Sequence, residues 1–238
     1  MALLSMVRIL NFKTIFATLL FSFAFISPVK ADFSNNFASC IAKNETGGVD
    51  LTKAAANPGK TGYTGIYQMG IAYVGGYLCS NQASIPKMTS TTPQDWSKCD
   101  FKGTLSKSMG ITSYAAFTTG PNAVAAQQYI FQKNSQSTWN EIVNKGYASY
   151  LGKTVNGVVM TQDTMVAMAH MSGVGGLGLT LNGKSVSDKI TGATPTGYAS
   201  CIAACLSGST AGCNMKTGTS GASVYVNVCT GKANAPTE

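Results

Sequence analysis

Apolar positions recur at helical spacing in several short stretches of this chain, separated by glycine corners and polar loops. Phe37, Cys40, Ile41 and Asn44 repeat with that period behind Ser34-Asn35-Asn36, which offers an N-cap, and Gly47-Gly48 stops the helix. A polar stretch, 49–64, leads to Gly65-Ile66-Tyr67-Gln68-Met69-Gly70 and an apolar run over 71–78. Residues 80–110 read as loop, with Trp96 as the one large anchor. Pro121 suits the first position of a helix over 122–132. Thr138-Trp139-Asn140-Glu141 then fits a capping box that opens a second helix through Tyr147. Thr161 caps an apolar helix over 165–171 that Gly173 closes, and another helix spans 197–206. From Ser207 onward Gly, Ser and Thr dominate, with one strand-like run over 222–228. The pattern predicts a mainly α fold, one helical domain with a C-terminal extension.

The first 31 residues stand apart from this pattern. Arg8 and Lys13 precede an apolar run over 14–26, followed by Ser27-Pro28-Val29-Lys30-Ala31. Thirteen apolar residues fall short of a membrane span, and the small Ala31 suits signal peptidase. A cleaved signal peptide over 1–31 is the expectation, and an uncleaved anchor is the alternative. The seven cysteines, all beyond that segment, agree with export, because such a count in an oxidising compartment reads as disulfides. Cys79 and Cys99 bracket a loop that they can close. Cys201 and Cys205 share one helix face and point to bonds with Cys213, Cys229 or Cys40. Together these features predict a periplasmic or secreted protein.

Composition then removes several kinds of chemistry. Only 11% of the 238 residues are charged, against roughly 25% in typical soluble proteins. The chain has one histidine, His170, and only three glutamates, Glu45, Glu141 and Glu238. A histidine-rich metal site is impossible, no CxxC pair supports zinc, and the six aspartates are scattered. No metal and no cofactor is expected. His170 with Ser172 lacks the G-x-S-x-G elbow of a nucleophilic serine. The net charge of +8 falls to +5 without the signal segment. The scattered cations form no Arg-aromatic cluster, which argues against nucleic acid as a partner.

Glu45 is the residue that these exclusions leave. It sits in the last turn of a mostly apolar helix, where the dipole's negative end gives a carboxylate no support. Dipole and burial alike favour a carboxyl that holds, and can donate, a proton, which is what a general acid needs. The competing reading is an ordinary exposed glutamate at a helix end.

Its surroundings carry a family resemblance. Glu45-Thr46-Gly47-Gly48, followed by Gly62-Tyr63-Thr64-Gly65-Ile66-Tyr67-Gln68-Met69-Gly70, resembles the signature of lysozyme-like peptidoglycan-cleaving enzymes, especially lytic transglycosylases and phage-type muramidases. Gly110-Ile111-Thr112-Ser113, the stretch 121–128, Trp139 with Ile142, and Ala167-Met168-Ala169-His170-Met171-Ser172-Gly173-Val174-Gly175-Gly176 before Ser185-Val186-Ser187-Asp188 are similar to later pieces in the same order. The resemblance implies a lysozyme-like α+β domain over 32–198, leaving a cysteine-rich, disulfide-stapled extension over 199–238. It implies Glu45 as catalytic acid and Gln68, Tyr67, Thr46, Gly65, Met69 and His170 as residues lining the glycan cleft. Thr46 stands where serine is usual and Met69 where phenylalanine is common. Read without the resemblance, Tyr67 and Gln68 fit a turn with a buried tyrosine, and His170 fits a packed histidine on an apolar helix.

The chemistry implied is cleavage of the β-1,4 bond between N-acetylmuramic acid and N-acetylglucosamine. Glycosidases ordinarily use a second carboxylate about 5–5.5 Å away for retention or about 6.5–9.5 Å for inversion. A lytic transglycosylase needs only one, because the sugar's own 6-hydroxyl attacks. The scarcity of acids therefore favours a transglycosylase over a hydrolytic muramidase using Asp50. A wall-binding protein that keeps the cleft without turnover is the third reading. Peptidoglycan strands are the expected partner, with an envelope-spanning secretion or conjugation machine as the setting.

Overall fold

The computed structural model describes residues 33–46, 63–85, 95–187 and 192–209, and the backbone of 215–217 and 225–227. The expected signal segment, Gly47-Gly48, Asp50, Asp188, Cys213 and Cys229 lie outside the described residues. All the described residues belong to one unit, Ala31–Glu238.

The fold is mainly α. Helix α1 (Asn35–Thr46) begins where Ser34 Oγ accepts from the Phe37 amide at 3.1 Å, and it buries Phe37, Ala38, Cys40, Ile41 and Ala42. A tight turn follows in which Thr64 and Met69 exchange two backbone hydrogen bonds, of 3.0 and 2.8 Å. Helix α2 (Ile71–Leu78) comes next. The stretch expected to be loop is partly helical: after the short 3-10 turns Gln82–Ser84 and Trp96–Lys98, helix α3 (Thr104–Met109) packs on α2. Trp96 does anchor this region, buried against the rings of Tyr114 and Phe117. Ser113 caps α4 (Tyr114–Thr119) by accepting from the Ala116 amide.

Helix α5 (Ala123–Asn144) corrects the reading of two helices over 122–147. Phe131, Ser135, Trp139 and Ile142 continue one buried seam through the expected capping box, so tertiary burial overrides the local helix-start signal. Glu141 accordingly sits exposed in the last turn of α5, 3.8 Å from Lys145. A β-hairpin follows, β1 (Thr154–Val155) with β2 (Val158–Val159), turned by Asn156 and Gly157, both at positive φ.

Helix α6 (Gln162–Leu181) starts at a Thr161–Thr164 capping box and is broken at Gly173, as expected, where φ 70° and ψ 166° are non-helical; a second helical segment follows directly and reaches Leu181. It is long and apolar enough to cross a membrane by length and composition, but most of it is buried in this core. Its largest interface is with α7 (Pro195–Leu206), which also packs on α1. The boundary expected at 198/199 therefore falls inside α7, whose Tyr198, Ala199, Cys201 and Ile202 are buried. Strands β3 (Met215–Thr217) and β4 (Tyr225–Asn227) pair antiparallel.

Two disulfides follow the cysteine reading. Cys79–Cys99 closes its loop, and Cys40–Cys205 joins α1 to α7 across 165 residues of sequence. Cys201 is disulfide-bonded as well.

Candidate active site

Glu45 is the penultimate residue of α1, and helices α2, α5, α6 and α7 bring aromatic or polar groups around it. Tyr198, in the first turn of α7, donates its hydroxyl to Glu45 Oε1 at 2.5 Å. His170 of α6 places Nε2 3.5 Å from the same oxygen. The Glu45 side chain is 20% exposed and that of His170 only 9%. The imidazole is held by rings: Tyr73 of α2 meets it edge-on at 5.7 Å, Phe131 of α5 edge-on at 5.6 Å, and Tyr198 lies tilted at 6.1 Å. Phe131 in turn stacks on Tyr67, with ring centroids 4.3 Å apart.

Burial sets the electrostatics of this cluster. It raises the Tyr198 phenol well above its ordinary range, and the neighbouring Glu45 carboxylate adds to that shift. Burial likewise raises Tyr73, with a smaller contribution from Glu45, and pushes Tyr67 up to about 12. All three phenols are therefore neutral hydrogen-bond donors at physiological pH. Of the three, Tyr198 is the phenol that donates to Glu45.

The remaining residues expected to line the cleft have these places. Thr46 is buried, its hydroxyl donating to the Ala42 carbonyl at 2.8 Å. Gly65 and Met69 are buried in the turn before α2, and the Tyr67 ring is buried too, at 2% exposure. Gln68, at φ 45°, is partly exposed and folds its amide back onto the Gly65 carbonyl at 3.0 Å. Glu45 and His170 are thus in direct contact, Tyr67 lies one ring away behind Phe131, and Gln68 makes no hydrogen bond to that group among the described residues.

Three contributors escaped the sequence. Tyr198 and Tyr73 carry no motif, and Tyr198 reaches Glu45 over a separation of 153 residues. Gln127 sits in α5, fully buried, where its Oε1 accepts from the Ile66 amide at 2.8 Å and its Nε2 donates to the Phe117 carbonyl at 3.0 Å. It fastens the 64–69 turn to the helix bundle. A polar residue on an otherwise apolar helix face was the available signal.

No group of three or more His, Cys, Asp or Glu side chains converges among the described residues. A cavity of about 570 Å³ opens elsewhere, between the β1–β2 hairpin, the start of α6 and the end of α7, and none of Glu45, His170 or Tyr198 lines it. Asp163, on its wall, has its carboxyl raised by burial. No family model, curated protein or solved structure matches this chain.

Proposed function

We propose that the chain is an exported peptidoglycan-cleaving enzyme of the lytic transglycosylase type, acting on the bond between N-acetylmuramic acid and N-acetylglucosamine with Glu45 as general acid and then base. The observation that carries this reading is a helix-end carboxylate, partly open to solvent, whose described neighbours are neutral donors and one histidine. None of those neighbours is a second carboxylate. The other described acids are engaged elsewhere: Asp95 with Ser97, Asp100 with Ser80, Glu141 with Lys145, and Asp163 on the cavity wall.

In this mechanism Glu45 gives its proton to the bridging oxygen as an oxocarbenium-like centre develops at the anomeric carbon. The bridging C–O bond breaks, and the 6-hydroxyl of the same muramic acid attacks that carbon. The Glu45 carboxylate then takes the hydroxyl proton. The acid is restored and the product carries a 1,6-anhydro end, with no water consumed. The two disulfides joining described residues fit an oxidising compartment, and that, with the signal peptide expected from the sequence, supports a periplasmic or secreted setting. Glycan strands are the partner this reading requires, and a secretion or conjugation machine that must open the wall locally is its natural context.

Digestion of purified sacculi followed by mass analysis tests the proposal. Wild type is expected to release fragments one water lighter than hydrolysed ends, and Glu45→Gln to lower the rate by about 10²–10⁴-fold, the usual share of general acid-base catalysis. Products with reducing ends alone would replace the transglycosylase with a hydrolytic muramidase. Equal release by both proteins would remove Glu45 from catalysis. Retention on sacculi with no release would make the chain a wall-binding protein.

A further inference from the structure

His170 is the one histidine of the chain, and its ring is almost wholly enclosed. Its two nitrogens face different surroundings. Nε2 looks at Glu45 Oε1 across 3.5 Å, whereas Nδ1 is buried with no hydrogen-bond partner among the described residues. A neutral imidazole must place its one hydrogen on either nitrogen. On Nδ1 the hydrogen would be buried with no acceptor among the described residues, and the Nε2 lone pair would face a carboxyl oxygen. On Nε2 the same hydrogen points at that oxygen. Protonation of the ring leaves a donor at Nε2 as well. The groups packed around the imidazole from other helices are Glu45 on α1, Tyr73 on α2, Phe131 on α5 and Tyr198 on α7. Among them the Glu45 Oε1 atom is the carboxyl oxygen placed before Nε2 to accept this hydrogen.

The second observation is where the donors converge. The Tyr198 hydroxyl and His170 Nε2 both address Oε1, and Oε2 has no hydrogen-bond partner among the described residues. Building on the transglycosylase reading, we propose that His170 is a positioning residue that, with Tyr198, anchors Oε1 of Glu45 and leaves Oε2 as the oxygen that exchanges the proton with the sugar. The Nε2 contact is long for a hydrogen bond, and catalytic contacts of this kind tighten when substrate is bound. It matters most between the two half-reactions, when Glu45 has lost its proton and carries full negative charge beside the oxocarbenium-like carbon. Two donors on Oε1 then fix the carboxylate plane, so that the oxygen that gave the proton to the leaving group is the one that meets the 6-hydroxyl.

Two substitutions separate donation from packing. His170→Gln keeps an N–H donor near the Nε2 position and loses the ring. His170→Phe keeps the ring against Tyr73 and Phe131 and loses the donor. On sacculi, His170→Phe is expected to lower kcat by about 10- to 100-fold with little change in KM, the loss of one hydrogen bond to a charged group, and His170→Gln to restore most of it. The opposite order, with Phe active and Gln inactive, would overturn the proposal in favour of packing.

A readout independent of activity and of either variant comes from nitrogen-15 NMR of the wild-type chain, where a lone histidine gives one unambiguous pair of ring signals. At pH values where the ring is neutral, the Nε2–H tautomer is expected to dominate, and a dominant Nδ1–H tautomer would overturn the proposal. A wild-type chain that cleaves no glycan would overturn the function and with it the role given to Oε2. The tautomer would still decide whether His170 donates to Glu45.

Discussion

Around Glu45 the decisive property of each residue is what its polar tip can do once buried. Tyr67, Tyr73 and Tyr198 bury their rings and hold their phenols neutral, so they supply hydrogen-bond donors without adding charge. This has a measurable consequence at high pH. Each phenol ionises at a higher pH in the folded state than in the unfolded chain. The corresponding stability is fully present below about pH 10, the unfolded tyrosine value, and is lost as pH rises toward the folded values. Ultraviolet titration of tyrosinate should therefore show a group of late phenols, Tyr198 and Tyr73 among them, that ionise together as the fold opens. Tyr198→Phe should remove one member of that late group. Independent, gradual ionisation of all ten tyrosines near pH 10 would contradict the buried cluster.

The contacts between elements depend on a few polar fasteners as much as on apolar area. The 64–69 turn is tied to α5 and α4 by Gln127, which satisfies the Ile66 amide and the Phe117 carbonyl at once. Gly65 makes that possible: it lies at φ 81°, and a Cβ there would stand 2.2 Å from Gln127 Oε1. Gln127→Ala strands two buried backbone groups and should cost about 2–4 kcal/mol in urea unfolding. Gly65→Ala should be costly alone and less so in the Gln127→Ala background, since the clash is gone while the positive φ remains. Strict additivity of the two changes would mean that they do not share this contact. The same scale explains what local patterning missed. The 138–141 capping box lost to a buried seam running through α5, while Asn156-Gly157 between two valines is a hairpin signal that the helical outline passed over.

Over the whole molecule, Cys40–Cys205 stands out because it joins the helix that carries Glu45 to the helix that carries Tyr198. A bridge closing 165 residues stabilises by about 5 kcal/mol on the chain-entropy account. The Cys40→Ser/Cys205→Ser double variant should therefore unfold at markedly lower denaturant than oxidised wild type, and reduction should remove most of that difference. On the proposed transglycosylase reading, muropeptide release by wild type should fall on reduction, because α1 and α7 lose their covalent tie next to Glu45. Unchanged stability of the double variant would show that the packing of α7 on α6 and α1 suffices without the bond.

Much of the outline was legible in the chain, for local reasons. Helical periodicity and capping residues marked α1, α6 and α7, because burial of one helix face imposes a period on the residues that line it. Cysteine spacing pointed to the 79–99 loop closure and left Cys40 among three partners open to Cys205. The scarcity of acids singled out Glu45. Gly173 does break α6, but the end of the first expected helix in α5 was read less well: α5 continued, because packing against neighbouring helices outweighs a cap worth about 1 kcal/mol. Of the company that Glu45 keeps, His170 was named only through the resemblance, and Tyr198 and Tyr73 were not legible at all. Tyr198, Tyr73 and the Nε2 face of His170 meet it only through the crossing of α1, α2, α6 and α7, and no pattern along a chain encodes which side chains distant helices will bring to one carboxylate oxygen.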